Sequence, residues 1–431
     1  MARWYKLHKY ISLVCMVFLL IFCITGLPLI FKNEIKEFNA VHHEPVHTAT
    51  TEQALWAEGI SHLDTITAQF PHDTIRAIEV TPQLSRVIYH FNDKNGVMPH
   101  YTGGSITYYT DTGTVKNTDQ LEQQVKYPAL KELLTAIHLW HVSLNLGPIG
   151  MGFLGFMCLF SLIAIISGVI LYGPFMRTTA FGEIKKKSTR STYLSWHKFL
   201  GMVTAVWASL LCVSGICILI FGGIYIGYIS SAKKEATAKL QPTAQVTQIS
   251  LPDALARVKQ ELPDKQVESV DFPNGTNQYM FYLISPGNVT GLTEQIASVS
   301  ADASGQMTFY AKPGPAVMPW SSPLIGLHVG NHGTLVLRII WAILDILTII
   351  MIVVSFFSWR NKELGTDVKG QQKKTTPAKP QSRTGIWKFP AIITILGFAG
   401  MIFPMYDMVY AGTAAWLLLL GIGVYALVRN R

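Results

Sequence analysis

Charge is what this chain has least of. Of its 431 residues only 14% are Asp, Glu, Lys or Arg, against 49% hydrophobic, a balance that excludes both an ordinary soluble domain and a charged, disordered one. Cysteine is scarce as well. All five, Cys15, Cys23, Cys158, Cys212 and Cys217, fall inside apolar runs, which leaves no disulfide framework and no zinc knuckle outside them. No strand followed by Gly-x-Gly-x-x-Gly opens a helix in the connections between those runs, so no dinucleotide site is expected there.

What the chain has instead is length of apolar sequence. Six runs are long enough to cross roughly 30 Å of hydrocarbon: residues 11–31, 150–172, 200–229, 335–357, 387–405 and 411–428. The first has the basic start of a secretory signal, but it is longer than an ordinary signal core and lacks a clean small-x-small cleavage site, so it reads as a retained helix. Lysine and arginine flank the runs in four groups: Arg3, Lys6 and Lys9; Arg177 to Lys198; Arg360 to Lys388; and Arg429 with Arg431. With six spans all four groups fall on one side, and the positive-inside rule makes that side the cytoplasm, with both termini in it. The net charge of +9 then reflects topology and contact with anionic lipid, and no nucleic-acid partner is expected.

The expected fold is membrane α-helical, six helices made of an internally duplicated 2+2 core and a C-terminal hairpin, with two small α+β domains facing outward. The boundaries read as 1–32 (first span), 33–136 (first outward domain), 137–175 (second span), 176–196 (cytoplasmic loop), 197–229 (third span), 230–325 (second outward domain), 326–360 (fourth span), 361–386 (a Lys-, Thr-, Gln- and Pro-rich loop expected to be disordered) and 387–431 (hairpin). Each outward segment carries one amphipathic helical stretch, 51–69 or 251–261, followed by alternating apolar and polar runs, 75–81, 86–91 and 105–109 in the first and 267–272, 278–283, 297–301 and 307–311 in the second. That period of two is the mark of half-buried antiparallel strands.

The duplication is written in histidines. Leu7-His8-Lys9-Tyr10 leads through an apolar run to Cys23-Ile24-Thr25-Gly26, and Trp196-His197-Lys198-Phe199 leads through another to Cys212-Val213-Ser214-Gly215. Each histidine stands fifteen residues before the cysteine and eighteen before the glycine, a match across a whole span that marks a repeated unit. A second histidine recurs in each half: His141 in Trp140-His141-Val142-Ser143-Leu144, and His328 in Leu327-His328-Val329-Gly330. An ionisable group at the edge of a span is costly and functional by default. His8 and His197 begin helices running outward, and His141 and His328 begin helices running inward, so the first two are expected to meet near one membrane face and the last two near the other. Facing neutral imidazoles are what a six-coordinate heme iron takes on its axial positions. No Cys-x-x-Cys-His is present, so the expected cofactors are two non-covalent heme b groups.

His138 and His332 share helical faces with His141 and His328. They are candidates for supporting or alternative ligands, and a four-histidine metal cage is the competing arrangement. His42, His43, His47, His62, His72, His90 and His100 read as solvated surface residues. Between residues 313 and 323, Pro313, Pro315, Pro319 and Pro323 accompany Met318 and Trp320, too much proline for a helix or a central strand. Trp320 and Met318 are the candidate substrate contacts in that stretch.

With these residues in place the chain resembles the PepSY-associated transmembrane helix family of bacterial inner-membrane proteins. The resemblance is carried by Leu7-His8-Lys9 with Thr25-Gly26, His141-Val142-Ser143-Leu144 with Gly147, Trp196-His197-Lys198 with Ser214-Gly215, and Leu327-His328-Val329-Gly330 with Arg338, and it covers about residues 1 to 360. The last half-repeat has Ser355-Phe356 where a Ser-Gly is expected. The resemblance implies a ferric-siderophore reductase of the bacterial inner membrane. PepSY-like domains would lie in the periplasm, electrons would come from quinol or a separate reductase, and a ferric siderophore or other ferric chelate would be the acceptor. Two alternatives stay open, a membrane-anchored PepSY binding or inhibitory protein and a heme or metal transporter that uses the histidines as a relay.

Overall fold

A computed structural model describes residues 2–41, 48–69, 73–93, 104–117, 125–175, 179–240, 249–273, 277–286, 293–301, 305–330, 334–365, 388–405 and 408–430. The expected disordered loop at 361–386 lies outside the described residues from position 366 onward. The chain divides into a helical unit (1–36, 129–220 and 323–431) and a unit built on a β-sheet (37–128 and 221–322).

Among the described residues, five helices are long and apolar enough to cross a membrane: α1 (Ala2–Ile30), α6 (Gly147–Phe175), α7 (Thr189–Leu240), α10 (Leu335–Glu363) and α12 (Val409–Arg429). The run expected as a further span forms α11 (Lys388–Met405), whose apolar part, Phe389–Phe403, is shorter. Helix α1 packs on α6 and α10, and α11 packs along α12. The apolar core of this unit includes Phe199, Val203, Trp207, Leu337, Trp341, Leu344, Trp416 and Leu419. Trp341 and Trp416 meet edge to face at 5.4 Å, the arrangement aromatic quadrupoles favour. Gly400 of α11 is required there, because a Cβ on it would stand 2.5 Å from the Trp416 indole nitrogen. The C-terminal hairpin is therefore part of the core rather than an addition to its rim.

Two spans depart from the expected form. Residues 137–175 are not one helix: α5 (Pro128–Ser143) ends and α6 begins at Gly147, with Leu144, Asn145 and Gly147 all in the left-handed region at φ 51°, 59° and 58°. The Asn145 N–H bonds back to the Leu139 carbonyl at 3.2 Å, closing the helix end as left-handed caps do. The fourth span repeats the device. Helix α9 (Ser321–Val329) stops at Gly330, φ 70°, before α10 starts at Leu335. His141 and His328 thus stand in the last turn of a short helix before each span, and do not begin the span itself.

The sheet unit holds α2 (Lys32–Asn39) from Glu37 onward, α3 (Glu52–Ser61), α4 (Leu63–Gln69), α8 (Leu251–Glu261) and eight strands: β1 (Asp73–Thr81), β2 (Arg86–Asp93), β3 (Ser105–Tyr109), β4 (Thr114–Asn117), β5 (Gln266–Asp271), β6 (Tyr279–Ile284), β7 (Gln295–Ala301) and β8 (Met307–Pro313). The single helix expected over 51–69 is broken at His62. Thr51 and Ser250 cap α3 and α8, accepting from the Ala54 and Asp253 amides, as short hydroxyl residues at helix starts do. The two segments expected as separate α+β domains share one antiparallel sheet of order β4-β3-β2-β1-β5-β6-β7-β8. The halves meet where Ala77, Ile78 and Glu79 pair with Asp271, Val270 and Ser269. Trp56 of α3 donates to the Val267 carbonyl at 2.9 Å, and Glu52 accepts from the Val267 amide at 2.9 Å while pairing with Lys259 at 2.6 Å. Neither half closes its core alone: Leu55, Trp56, Val87 and Tyr89 of the first and Val267, Val270, Phe281 and Leu283 of the second belong to one apolar cluster.

Candidate functional site

The four repeated histidines come together as two pairs within the helical unit. His8 and His197 face each other with ring centroids 6.2 Å apart and planes inclined by 49°. His141 and His328 do the same at 6.3 Å and 58°. On α1 the residue that holds His141, Thr25, lies seventeen positions beyond His8, and on α7 the residue that holds His328, Ser214, lies seventeen beyond His197. At 1.5 Å per residue the two pairs stand roughly 25 Å apart along the helices.

Each imidazole is fixed through Nδ1. The Thr25 hydroxyl donates to the Ile21 carbonyl at 2.6 Å, so its oxygen accepts from His141 Nδ1 at 2.9 Å. The Ser214 hydroxyl likewise donates to Leu210 at 2.8 Å and accepts from His328 Nδ1 at 2.9 Å. His8 Nδ1 donates to the Ala164 carbonyl at 2.9 Å, with Ser167 Oγ at 3.2 Å. His197 Nδ1 reaches the Met351 carbonyl at 3.5 Å. With the proton assigned to Nδ1 by these acceptors, every Nε2 keeps its lone pair, the arrangement that metal-binding histidines take.

Glycines make room for three of the rings. A Cβ at Gly26 would lie 3.3 Å from His141 Cε1, one at Gly215 3.3 Å from His328 Cε1, and one at Gly168 3.0 Å from His8 Cε1. Thr25-Gly26, Ser214-Gly215 and Ser167-Gly168 are therefore one motif used three times, a hydroxyl to hold Nδ1 and a hydrogen-only neighbour to admit the ring. Ser167 went unnoticed in the sequence, although its place beside Gly168, matching Ser214-Gly215, was the available signal. Ser355 and Phe356 line the same cavity as His8 and His197, so the departure falls on that pair.

The fit to a heme rests on these distances. A metal–imidazole bond is about 2.0–2.1 Å, and the ring centroid lies about 1.1 Å beyond the nitrogen, so two imidazoles across one iron would place their centroids about 6.3 Å apart. Both pairs meet that separation. Beside His8 and His197 lies a cavity of about 440 Å³, apolar along Leu13, Leu19, Val169 and Ala208 and basic at Lys9, Arg190, Lys198 and Lys362, the combination a porphyrin with carboxylate side chains needs.

Among the described residues no three of His, Cys, Asp and Glu gather closely enough to share an ion. His138 joins no such group, and His332 lies outside the described residues. His62 stacks on Tyr108 and His90 stands 3.5 Å from Glu79; His42, His43, His47, His72 and His100 lie outside the described residues. Met318 and Trp320 belong to the sheet unit, where Met318 is 4% exposed and Trp320 59% exposed. Only the tryptophan is open to a ligand from solvent. The Pro-rich stretch is more regular than expected, since Pro313 ends the edge strand β8 and Pro323 falls in the first turn of α9.

A family model described as PepSY-associated TM region matches residues 5–362, which takes in both histidine pairs and the whole sheet and leaves out the α11–α12 hairpin. No curated protein matches the chain.

Proposed function

We propose, from the premise that this chain belongs to the PepSY-associated TM region family, that it is a diheme b-type cytochrome reducing a ferric chelate, a ferric siderophore above all, on the outer side of the bacterial inner membrane. The observation that carries the reading is the pair of facing imidazole pairs, at 6.2 and 6.3 Å, each with Nδ1 engaged and Nε2 free. When bound, the hemes supply one-electron carriers at two depths of the bundle. His8 and His197 would hold one and His141 and His328 the other. Arg190 and Lys198 would offer positive charge to propionates at the first.

The proteinaceous part of the work is positioning. The hydroxyls of Thr25, Ser214 and Ser167 fix ring orientation and tautomer, the glycines set the distance of approach, and the surrounding apolar helices keep water from the irons. In this reading α11 and α12 cross as a hairpin and bring the total to six spans. All four basic groups then lie in the cytoplasm, and the sheet unit is periplasmic. Electrons enter from quinol or a separate reductase near His8 and His197 and leave near His141 and His328. Reduction releases iron because hard oxygen donors that hold Fe(III) tightly hold Fe(II) much less well.

The test is direct. Protein purified from heme-replete cells should show a low-spin bis-histidine spectrum with close to two hemes per chain, and the dithionite-reduced protein should be reoxidised by ferric siderophore. A colourless preparation overturns the cofactor assignment. A red one that ferric chelates leave reduced overturns the reductase assignment and leaves an electron carrier.

A further inference from the structure

Asp345 is a carboxyl with no counter-charge inside an apolar bundle. It lies on α10, six residues before the Met351 whose carbonyl faces His197, and it is 3% exposed. Its Oδ2 has no hydrogen-bond partner among the described residues. No other Asp or Glu occurs in α1, α6, α11, α12 or the part of α7 that belongs to the helical unit, and α10 has only Glu363 at its far end. An unpaired carboxylate removed from water costs several kcal/mol, and such a group within a span is functional by default.

Its surroundings contain thiols and indoles rather than cations. From α1 the Cys23 thiol is the ionisable group that interacts with the carboxyl. Cys212 of α7 interacts with Cys158 of α6 and with Cys23 and Cys15 of α1. Helix α12 sets its Trp416 ring against Trp341, one turn before Asp345, and carries no charged side chain before Arg429. Along α10 the neighbours one turn away are Trp341 and Thr348, whose hydroxyl is engaged with Leu344. On α1, Cys23 lies between His8 and Thr25, and on α10, Asp345 lies between Leu335 and Met351. The carboxyl therefore stands at a depth between the two histidine pairs.

An electron entering this bundle adds a negative charge where little water can screen it. At an effective dielectric near 20, one charge added on the order of 10 Å away shifts a proton equilibrium about tenfold or more. We propose that Asp345 is the bundle's proton-uptake site, its carboxylate taking one proton from water when an electron arrives at a histidine-held iron and returning it when that electron leaves for the ferric substrate. The step balances as one electron and one proton in, then one electron and one proton out, with quinol or a reductase as the electron source. The inference rests on the proposed diheme reading and assigns its charge compensation to this side chain.

Potentiometric titration of the heme-loaded wild type and of Asp345→Asn between about pH 6 and about pH 8 tests it, with heme content measured first. At least one wild-type midpoint should fall with rising pH, at its steepest by about 30 mV per unit for a tenfold shift of the proton equilibrium and by more for a larger one, up to the limit of about 59 mV for one proton per electron, and the dependence should be absent in the variant. Reduced-minus-oxidised infrared spectra should show a protonated-carboxyl C=O band appearing on reduction in the wild type and missing from Asp345→Asn. Wild-type midpoints independent of pH with no such band overturn the inference even if the variant does not fold, and a dependence retained in Asp345→Asn overturns it as well. A wild type without heme overturns the reading beneath it instead.

Discussion

Gly168 lies so close to His8 that a Cβ on it would stand 3.0 Å from the ring carbon Cε1. The neighbouring Ser167 hydroxyl is 3.2 Å from Nδ1 of the same ring, so one dipeptide both admits and holds the imidazole. Gly168→Val should therefore displace His8 and lower heme content from close to two per chain to close to one by pyridine hemochrome assay. Gly421→Ala is the control, because Gly421 is exposed on α12, away from the cavity beside His8 and His197, with nothing within 4 Å of a Cβ there, and heme content should not change. Equal heme content in both variants would separate the glycine from ligand placement.

Pairing by depth gives a sharper expectation. His8→Ala and His197→Ala should remove the same spectral component, and His141→Ala and His328→Ala the other, because the rings meet as His8 with His197 and His141 with His328. Low-temperature difference spectra of the four variants decide this. Loss of one shared component by His8→Ala and His141→Ala would contradict the arrangement.

Thr25→Val and Ser214→Ala each remove the hydroxyl that accepts from an imidazole Nδ1 at 2.9 Å. Loss of such a supporting bond typically costs about 10–100-fold in metal affinity or activity. Heme transfer to apomyoglobin should accordingly be faster from these variants, and only for the component that His141 and His328 hold. Thr25→Ser keeps the acceptor and should restore the wild-type rate.

The α11–α12 hairpin should contribute to folding although it lies beyond the family match. Trp416 is fully buried against Trp341, and removing a buried tryptophan costs about 3–5 kcal/mol. Trp416→Ala should lower the thermal midpoint in detergent measurably, whereas Tyr410→Ala, on the same helix but exposed, should not.

The sheet unit carries its own pH dependence. Glu268 sits at the bulge where the pairing of β5 with β6 shifts between Val267 and Ser269. Burial, and then the negative charge of Glu79, push its carboxyl up to about 7 from the usual 4.5. The folded state binds this proton more tightly than the unfolded chain, so the group's contribution to stability falls as pH rises from about 4.5 to about 7. Glu268→Gln should be more stable than the wild type above pH 7 and lose that advantage as pH approaches 4.5. Denaturant unfolding followed by far-ultraviolet circular dichroism at the two pH values measures the difference.

The histidine repeat, most of the apolar spans and seven of the eight strands among the described residues are legible in the sequence. Each of these rests on a local period: eighteen residues from His8 to Gly26 and from His197 to Gly215, an unbroken apolar run for a span, and strict alternation for a strand. What lies between elements depends on contacts between residues far apart in the chain. Leu144 and Asn145 carry no glycine signal for the left-handed break that separates α5 from α6, so the apolar pattern alone puts His141 at the start of a span rather than at the end of a short helix. The pairing of Ile78 with Val270 joins residues almost two hundred positions apart, and no local pattern distinguishes two four-stranded sheets from one of eight. The meaning of Ser167-Gly168 likewise emerged from proximity, because a hydroxyl becomes a ligand support only where a distant imidazole turns its Nδ1 toward it.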